Sequence, residues 1–232
     1  MKQEKCVNII CIETSTSLAS VALSQNGNIK AYRESDTPKS HASLTTPFVK
    51  EVLDECGLTI DQCDGVCVSA GPGSYTGLRV GSSTAKGLCF GAGIPLFSMG
   101  TLDILASKGQ EIGKYDYIVP MIDARRMEAY CAVFENGIQI SKTSPLEIKE
   151  DSFLDLLEKG SVLFIGDAAE KCSTIIKNDN ASFFQCCPSA RNMGKRAYEL
   201  FRQNKKENVA YFEPFYLKDF VATISKKNIL GL

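Results

Sequence analysis

Two acidic residues end apolar runs at short polar turns, and they are the first candidates for chemistry. Glu13 follows the mostly apolar residues 7–12, and Asp123 follows a second such run, 118–122. In a two-lobed ATPase, carboxylates at such corners face each other across a cleft and bind Mg²⁺ and phosphates. The neighbouring residues that could contact a nucleotide or another anion are Thr14, Ser15 and Arg125. Neither turn contains glycine, so the alternative is that each acid accepts hydrogen bonds from its own turn.

The most distinctive motif is the glycine-rich segment SAGPGSYTGLR over residues 69–79. It follows a short apolar stretch and precedes a predicted helix, where backbone N–H groups and Arg79 could hold an anion. Gly71, Gly73 and Gly77 give the spacing GxGxxxG, which matches neither the Walker loop nor the dinucleotide-binding loop. A proline within the motif also removes one N–H donor. The motif alone is therefore weak evidence for an independent nucleotide site.

Small residues recur every four positions in the predicted helix 74–90, at Gly77, Gly81 and Ala85. Glycine inside a helix costs about 1 kcal/mol relative to alanine, and very close packing against another helix can offset this cost. The close partner is either the predicted helix 41–56 of the same chain or another subunit, and we predict an intermolecular surface built by both helices. The residues expected at this surface are Leu44, Phe48, Val52, Ser74, Tyr75, Gly77, Leu78, Gly81 and Ala85.

The single histidine, His41, excludes a metal site built on two histidines, and we expect it to cap a helix or lie at the surface. The ten cysteines include no CxxC pair, and the N-terminal apolar run is too short for a signal peptide. Together these features predict free, mostly buried thiols in a cytoplasmic protein. No run approaches the roughly 18 apolar residues of a membrane span, so no membrane contact is expected.

The charge balance argues against a bulk cationic nucleic-acid binder. The 232 residues include 26 Lys and Arg against 27 Asp and Glu, for a formal net charge of −1. Basic residues nevertheless cluster at 125–126, 191–196, 205–206 and 226–227. Such clusters are usually solvated faces, and the alternative is contact with RNA at the surface of a complex.

An internal repeat indicates how these residues are positioned. Glu13 and Asp123 are 110 residues apart, and so are the glycines of two Asn-Gly turns, Gly27 and Gly137. Equal spacing predicts two related α/β lobes, each with a strand meander, a helix, a returning strand and another helix, although chance similarity is the alternative. We place the lobes at 1–100 and 101–232, with further helices at 151–159 and 193–202. The tail beyond Phe220 has no clear assignment.

The motifs together resemble the bacterial TsaB (YeaZ) family. They are the segments 12–15, 71–79 and 122–125, then Glu128, Tyr130, Pro214, Tyr216 and Leu217, in this order over nearly the whole chain. The resemblance implies an actin-like ATPase (ribonuclease H-like) fold of two lobes, each a mixed sheet flanked by helices. It also implies a role in forming threonylcarbamoyladenosine at position 37 of tRNAs that read codons beginning with A.

The resemblance further implies a non-catalytic subunit. Its partners would be a TsaD-like transferase, which carries the metal on a His-x-x-x-His pair, and a small TsaE-like ATPase. Helices 41–56 and 74–90 would form the transferase contact or a competing homodimer, and tRNA would be reached through the complex. ATP or ADP with Mg²⁺ would bind only at a complex interface. The last segment would pack back on the first lobe. The family's first corner is usually Asp, so Glu13 is a departure.

Two other function classes stay open at this point. A free-standing ATPase or kinase of the same fold needs glycine-bearing phosphate turns, which the two corners lack, and ATP turnover by the pure chain would support it. A metallopeptidase needs a metal site, which a chain with one histidine is poorly equipped to build.

Overall fold

The computed structural model describes residues 6–217, and its first half builds a five-stranded sheet. The strands are β1 (Asn8–Glu13), β2 (Ala19–Gln25), β3 (Asn28–Ser35), β4 (Gly65–Ser69) and β5 (Leu96–Met99), in the spatial order β3-β2-β1-β4-β5. The first three pair antiparallel, and β4 and β5 add parallel to β1. Every residue of β1 and β4 is buried, because helices cover both faces of the sheet.

The second half repeats this sheet. Its strands are β6 (Tyr117–Asp123), β7 (Glu128–Cys131), β8 (Phe134–Glu135), β9 (Ile138–Gln139), β10 (Ser144–Glu147), β11 (Val162–Gly166) and β12 (Ala181–Gln185). The order β10-β7-β6-β11-β12 matches the first sheet, with β8 beside β6 and β9 beside β8. The predicted fold class, two related lobes of the actin-like type, is therefore confirmed.

The two Asn-Gly turns differ in what they connect. Asn26 and Gly27 have φ values of 50° and 85°, the type I′ geometry that joins β2 directly to β3. Asn136 and Gly137 adopt the same geometry but close only the short β8–β9 hairpin. Here β7 ends at Cys131, the N–H of Val133 donates to the Ser141 hydroxyl at 2.7 Å, and β8 resumes the pairing with β6 at Phe134. In the second sheet, β10 therefore takes the edge position that β3 has in the first sheet.

Within residues 6–217, six α-helices flank the sheets, with short 3-10 turns at Ile60–Gln62 and Ala190–Asn192. They are α1 (His41–Glu55), α2 (Tyr75–Ala92), α3 (Thr101–Ile112), α4 (Leu154–Leu157), α5 (Ala169–Ser173) and α6 (Gly194–Arg202). The predicted helix 151–159 shrinks to α4, because Phe153 has a φ of 64° in the left-handed region. Helix α3 was not predicted, although its buried Leu102, Leu105 and Gly109 follow helical spacing.

The lobes exchange helices. Helices α1 and α2 cover one face of the first sheet, where Ile10 and Ile12 point, and α6 covers the other face, where Ile9 and Cys11 point. Helix α3 directly follows the first sheet but packs on β6 and β11 of the second. Helix α6 follows the second sheet but packs on the first. The division at residues 100 and 101 stays a prediction.

After α6 the chain returns along the first lobe. Glu207 pairs with Leu96, Phe212 is buried in the core under α1 and α2, and the N–H of Phe215 donates to the carbonyl oxygen of Ala70 at 2.7 Å. The last segment, whose packing on the first lobe was predicted, includes residues 218–232, which lie outside the described residues. Among the residues described, no helix combines the length and the apolar character needed to cross a bilayer.

Candidate functional site

A cleft of about 1150 Å³ separates the two lobes. Its walls come from the turn after β1, the turn after β6, the loop before α1 and the first residues of α2. The parallel strands of each sheet end here, which is where ligands bind in open α/β sheets. The predicted residues that line the cleft are Ser15, Ser74, Tyr75, Gly77, Asp123 and Arg125.

Glu13 lies beneath the cleft and does not line it. Its side chain is fully buried, and its Oε1 accepts a hydrogen bond from the N–H of Ser15. Burial raises the pKa of the Glu13 carboxyl to about 7, hydrogen bonding by Ser15 and Ser69 lowers it in part, and the charge of Asp167 adds a small upward contribution. The predicted nucleotide contact at Glu13 is therefore corrected: this acid caps its own turn inside the protein.

Asp123 repeats this turn geometry at the exposed corner of the second lobe. Its Oδ1 accepts a hydrogen bond from the N–H of Arg125 at 2.9 Å, as Glu13 accepts from Ser15. The ammonium group of Lys171 forms an ion pair with the same carboxylate. It also donates to the carbonyl oxygens of Arg126 at 3.0 Å and Glu128 at 2.6 Å. A fixed protein cation therefore occupies the corner where a metal ion would bind.

Asp167 is a site residue that the sequence analysis missed. It follows β11, and its Oδ1 accepts a hydrogen bond from the N–H of Asp123 at 2.7 Å. Burial raises the pKa of the Asp167 carboxyl to about 6, with a further upward contribution from the charge of Asp123 and an opposing one from Lys171. The sequence feature that could have identified Asp167 is its place directly after a strand that ends in Gly166, at the same edge of the sheet as Asp123.

The glycine-rich motif packs against the first turn of the same chain. A Cβ at Gly77 would overlap the carbonyl oxygen of Thr14, one at Gly81 would overlap the Thr14 hydroxyl, and one at Gly73 would overlap the carbonyl oxygen of Ser15. The Thr14 hydroxyl donates to the carbonyl oxygen of Gly77 at 2.8 Å. These close approaches explain why the motif requires glycine. They also fix Thr14 in the interior, away from any nucleotide.

The predicted intermolecular surface needs correction for this reason. Five of its residues are buried within the chain, and they are Val52, Gly77, Leu78, Gly81 and Ala85. The small-residue stripe meets a turn of its own lobe, not a second subunit. Leu44, Phe48 and Tyr75 are half-buried, and Ser74 is exposed and caps α2 by accepting from the N–H of Gly77.

An aromatic and cationic cluster marks the start of α2. The Arg79 guanidinium lies 4.1 Å from the centre of the Tyr75 ring. The centres of the Tyr75 and Tyr216 rings are 4.8 Å apart, and the two ring planes are tilted by 45°. Arg79 is exposed but does not line the cleft. An anion contact at Arg79 therefore stays a prediction, and its observed contact is with Tyr75.

Two exposed glycines, Gly87 and Gly91, lie in the last part of α2, and α2 extends beyond the predicted helix 74–90. The helix continues to Ala92, and Gly93, with a φ of 66°, caps it. Apart from the adjoining residues and backbone of α2 itself, no described atom lies within 4 Å of a Cβ built on Gly87 or Gly91. Phe90 between them is 87% exposed. Contacts within the described chain do not explain these glycines, although their spacing of four was visible in the sequence.

Two arginines and the single histidine also line the cleft. Arg125 and Arg126 are exposed and have φ values of 69° and 48°. The ring of His41 forms a hydrogen bond with the carbonyl oxygen of Thr16 at 2.9 Å, so it holds the loop before α1 to the first turn. Within residues 6–217, no group of three or more His, Cys, Asp or Glu side chains is placed to hold a metal ion.

Comparisons with known proteins agree with this architecture. A family model described as TsaD, tRNA N6-adenosine threonylcarbamoyltransferase, matches residues 34–226. The tRNA threonylcarbamoyladenosine biosynthesis protein TsaB of Escherichia coli K12 is 27% identical over 93% of this chain and 96% of its own length. Its Bacillus subtilis 168 namesake is 29% identical over 69% of this chain and 71% of its own length. The solved structure of YeaZ from Pseudomonas aeruginosa has the same fold, with a TM-score of 0.78 and 23% identity over 91% of this chain and 100% of that chain.

Proposed function

The chain belongs to the TsaD family of tRNA N6-adenosine threonylcarbamoyltransferases and, within it, to the TsaB (YeaZ) group, so we propose that it is a non-catalytic subunit of such a transferase. In this role it binds and supports a TsaD-like catalytic subunit that forms threonylcarbamoyladenosine at position 37 of tRNAs reading codons that begin with A. A TsaE-like ATPase joins the complex, and the chain forms a homodimer when its partners are absent.

The state of the two acidic corners is the observation that carries this proposal. Glu13 is enclosed and bonded to its own turn, and Asp123 is bonded to its turn and to the Lys171 ammonium. A catalytic carboxylate must reach the reacting atoms or a metal ion. Glu13 is enclosed, and the Asp123 carboxylate on the cleft wall is held by its own turn and by the Lys171 ammonium. The geometry therefore favours a supporting role over catalysis.

The corners also fit a Mg²⁺-bound nucleotide poorly in the chain alone. The Lys171 ammonium already neutralises Asp123, and the turn after β1 is pressed against Gly73 and Gly77 of the motif, which leaves no backbone cradle for phosphates. ATP or ADP is therefore expected only at a complex interface, where Ser15 and Arg125 on the cleft wall would be the contributions of this chain.

The proposed partner surface is the outer face of α1 and α2. Gly87, in the interior of α2, costs about 1 kcal/mol relative to alanine, and a partner helix that packs closely over Gly87 and Gly91 would offset that cost. The exposed ring of Phe90 would supply apolar contact area. Accessible residues that we assign to the same surface are Leu44, Phe48, Ser74, Tyr75 and Arg79.

Reconstituted tRNA modification tests the proposed role. The assay combines the chain, its TsaD-like and TsaE-like partners, ATP, the threonylcarbamoyl donor and an unmodified tRNA transcript. We expect omission of the chain to reduce product strongly and Asp123→Asn to retain most of it, because Asp123 performs no chemical step. Full activity without the chain, or loss of activity in an Asp123→Asn protein that still binds its partner, would contradict the proposal.

The alternative of a free-standing ATPase or kinase is tested in the same series. The pure chain is incubated with Mg-ATP, and released phosphate is measured. Turnover that disappears in Asp123→Asn would support the alternative, and absence of turnover with intact partner-dependent activity would support the subunit role.

A further inference from the structure

The outer surface of α6 is strongly basic in a chain that is nearly neutral. Residues 191–206 include six Lys and Arg and a single acid, whereas the whole chain has 26 basic and 27 acidic residues. The acid, Glu199, pairs with Arg196 at 2.8 Å. The other basic residues of this segment are also exposed, and they are Arg191, Lys195, Arg202, Lys205 and Lys206. Among the described residues, no carboxylate forms an ion pair with Arg191, Lys195, Lys205 or Lys206.

Three nearby carboxylates bond to neutral groups rather than to Arg191, Lys195, Lys205 or Lys206. Glu34, Glu111 and Glu207 accept hydrogen bonds from neutral groups, which are the Ser189 hydroxyl, the Asn192 amide and the Ser98 hydroxyl, respectively. The apolar side of α6, with Ala197 and Leu200, packs on the first sheet and fixes the direction in which Lys195 and Arg202 project. Lys195 and Arg202 are therefore held on one face of a packed helix.

Two tyrosines lie among these cations. The Arg191 guanidinium is 4.3 Å from the centre of the Tyr32 ring on the edge strand β3, and Tyr32 is 42% exposed. The Arg202 guanidinium is 5.9 Å from the Tyr198 ring and donates to its hydroxyl at 3.4 Å. Exposed aromatic rings beside guanidinium groups provide flat surfaces for unpaired bases, and the surrounding cations attract phosphates.

We propose that this surface, formed by Tyr32, Arg191, Lys195, Tyr198 and Arg202, binds RNA directly through its phosphates and one or two unstacked bases. The proposal rests on the proposed function only for the identity of the RNA, which is then the tRNA being modified. The surface lies on the opposite face of the first sheet from α1 and α2, so the chain could hold RNA and the transferase at the same time. Direct contact goes beyond access to tRNA through the complex.

Binding of a fluorescent, unmodified tRNA transcript tests this proposal. Anisotropy is measured with the full chain, alone and with saturating TsaD-like subunit, between about 50 and about 200 mM KCl. The test variant is Arg191→Glu/Lys195→Glu/Arg202→Glu, and the matched control is Lys114→Glu/Lys142→Glu/Lys159→Glu, which changes net charge equally at exposed sites of the second lobe. We expect the test variant to weaken binding about tenfold or more. The slope of log affinity against log salt concentration should fall by the amount that corresponds to about two phosphate contacts. The control should change the affinity by less than about twofold.

Tyr32 provides an independent readout that does not depend on net charge. Tyr32→Ala should weaken binding about fivefold, and Tyr32→Phe should restore it because the ring is what stacks. The inference would be overturned if the two triple variants had equal effects, or if the wild-type chain bound no tRNA either alone or with the TsaD-like subunit. Stronger binding to anionic phospholipid vesicles than to RNA would also overturn it. Retained binding of the TsaD-like subunit by the test variant separates this outcome from a failure of the proposed function.

Discussion

The hydroxyl of Thr14 donates a hydrogen bond to the carbonyl oxygen of Gly77 at 2.8 Å, and the Thr14 carbonyl oxygen lies against Gly77 where a Cβ would stand. This contact joins the turn after β1 to the first turn of α2, across 63 residues of sequence. The glycine-rich motif therefore holds α2 against the turn after β1 in the first lobe, and the outer face of α2 is available for other contacts.

From the contact between Thr14 and Gly77 we predict that substitution by alanine changes the free energy of unfolding in opposite directions at two glycines of α2. Gly77→Ala should reduce the free energy of unfolding by about 3 kcal/mol, because the added methyl overlaps backbone that cannot move independently. Gly87→Ala should raise it by about 1 kcal/mol, because that site is open and alanine favours the helix. Urea unfolding of both variants measures the difference. Equal stability of the two proteins would show that the Thr14 contact is absent in solution.

The exposed glycines predict a binding defect without a folding defect. Gly87→Leu and Gly91→Leu should each weaken association with the TsaD-like subunit by about tenfold or more, since a bulky side chain holds the partner helix away. Ser83→Leu would be a poor control because it lies one turn away on the same exposed face, so Lys159→Leu on the second lobe is preferred. Isothermal titration calorimetry gives the affinities, and unchanged affinity in both glycine variants would place the interface elsewhere.

Buried Glu13 predicts a stability that falls as pH rises. Its folded-state pKa of about 7 lies above its ordinary value of 4.5, so between these values the folded state holds a proton that the unfolded state has lost. Glu13→Gln should therefore gain stability relative to wild type as pH increases, by about 2–3 kcal/mol at about pH 8, and the difference should vanish below about pH 4.5.

Asp116 provides a control of opposite sign for this pH dependence. Hydrogen bonds from the hydroxyl and N–H of Ser161 hold the pKa of its carboxyl below the ordinary value. Asp116→Asn should therefore be less stable than wild type at neutral pH, with a deficit that shrinks as the pH falls through the folded-state pKa. Urea unfolding across pH measures both variants. Parallel pH profiles for Glu13→Gln and wild type would contradict the buried placement of Glu13.

Lys171 is predicted to hold the second corner together. Lys171→Met removes the cation that faces Asp123 and lowers the pKa of Asp167, so the Asp167 pKa should rise above about 6. Stability should fall by about 1–2 kcal/mol, a modest loss because the Asp123 side chain is half exposed. Carboxyl chemical shifts followed by NMR report the pKa. Lys177→Met on a nearby exposed lysine is the matched control, and an equal effect there would exclude a specific role for Lys171.

Local patterns in the sequence predicted the two related sheets and the helices α1 and α2. The 110-residue offset between Glu13 and Asp123 reflects two sheets of identical strand order, and the Asn-Gly turns reflect positive φ values that few residue pairs tolerate. The predicted helices 41–56 and 74–90 agree with α1 and α2 to within two residues at each end.

Contacts between distant segments were beyond such patterns. The stripe Gly77, Gly81 and Ala85 shows that something approaches α2 closely, but residue types alone do not say whether it is a helix, a turn or another subunit. Lys171 lies 48 residues from Asp123 in sequence, and only the folding of β6 beside β11 brings them together. The exchange of α3 and α6 between lobes is likewise a property of the tertiary fold.

Light scattering after size exclusion tests the central claim most directly. The wild-type chain, Gly87→Leu and the exposed control Lys159→Leu are run alone and after mixing with the TsaD-like subunit, with and without Mg-ATP. We expect the wild type and the control to change from a homodimer to a complex with the transferase, and Gly87→Leu to remain a folded monomer in both runs. A wild-type chain that ignores the TsaD-like subunit under all conditions would contradict the subunit role, and a Gly87→Leu protein that assembles normally would contradict the assigned surface.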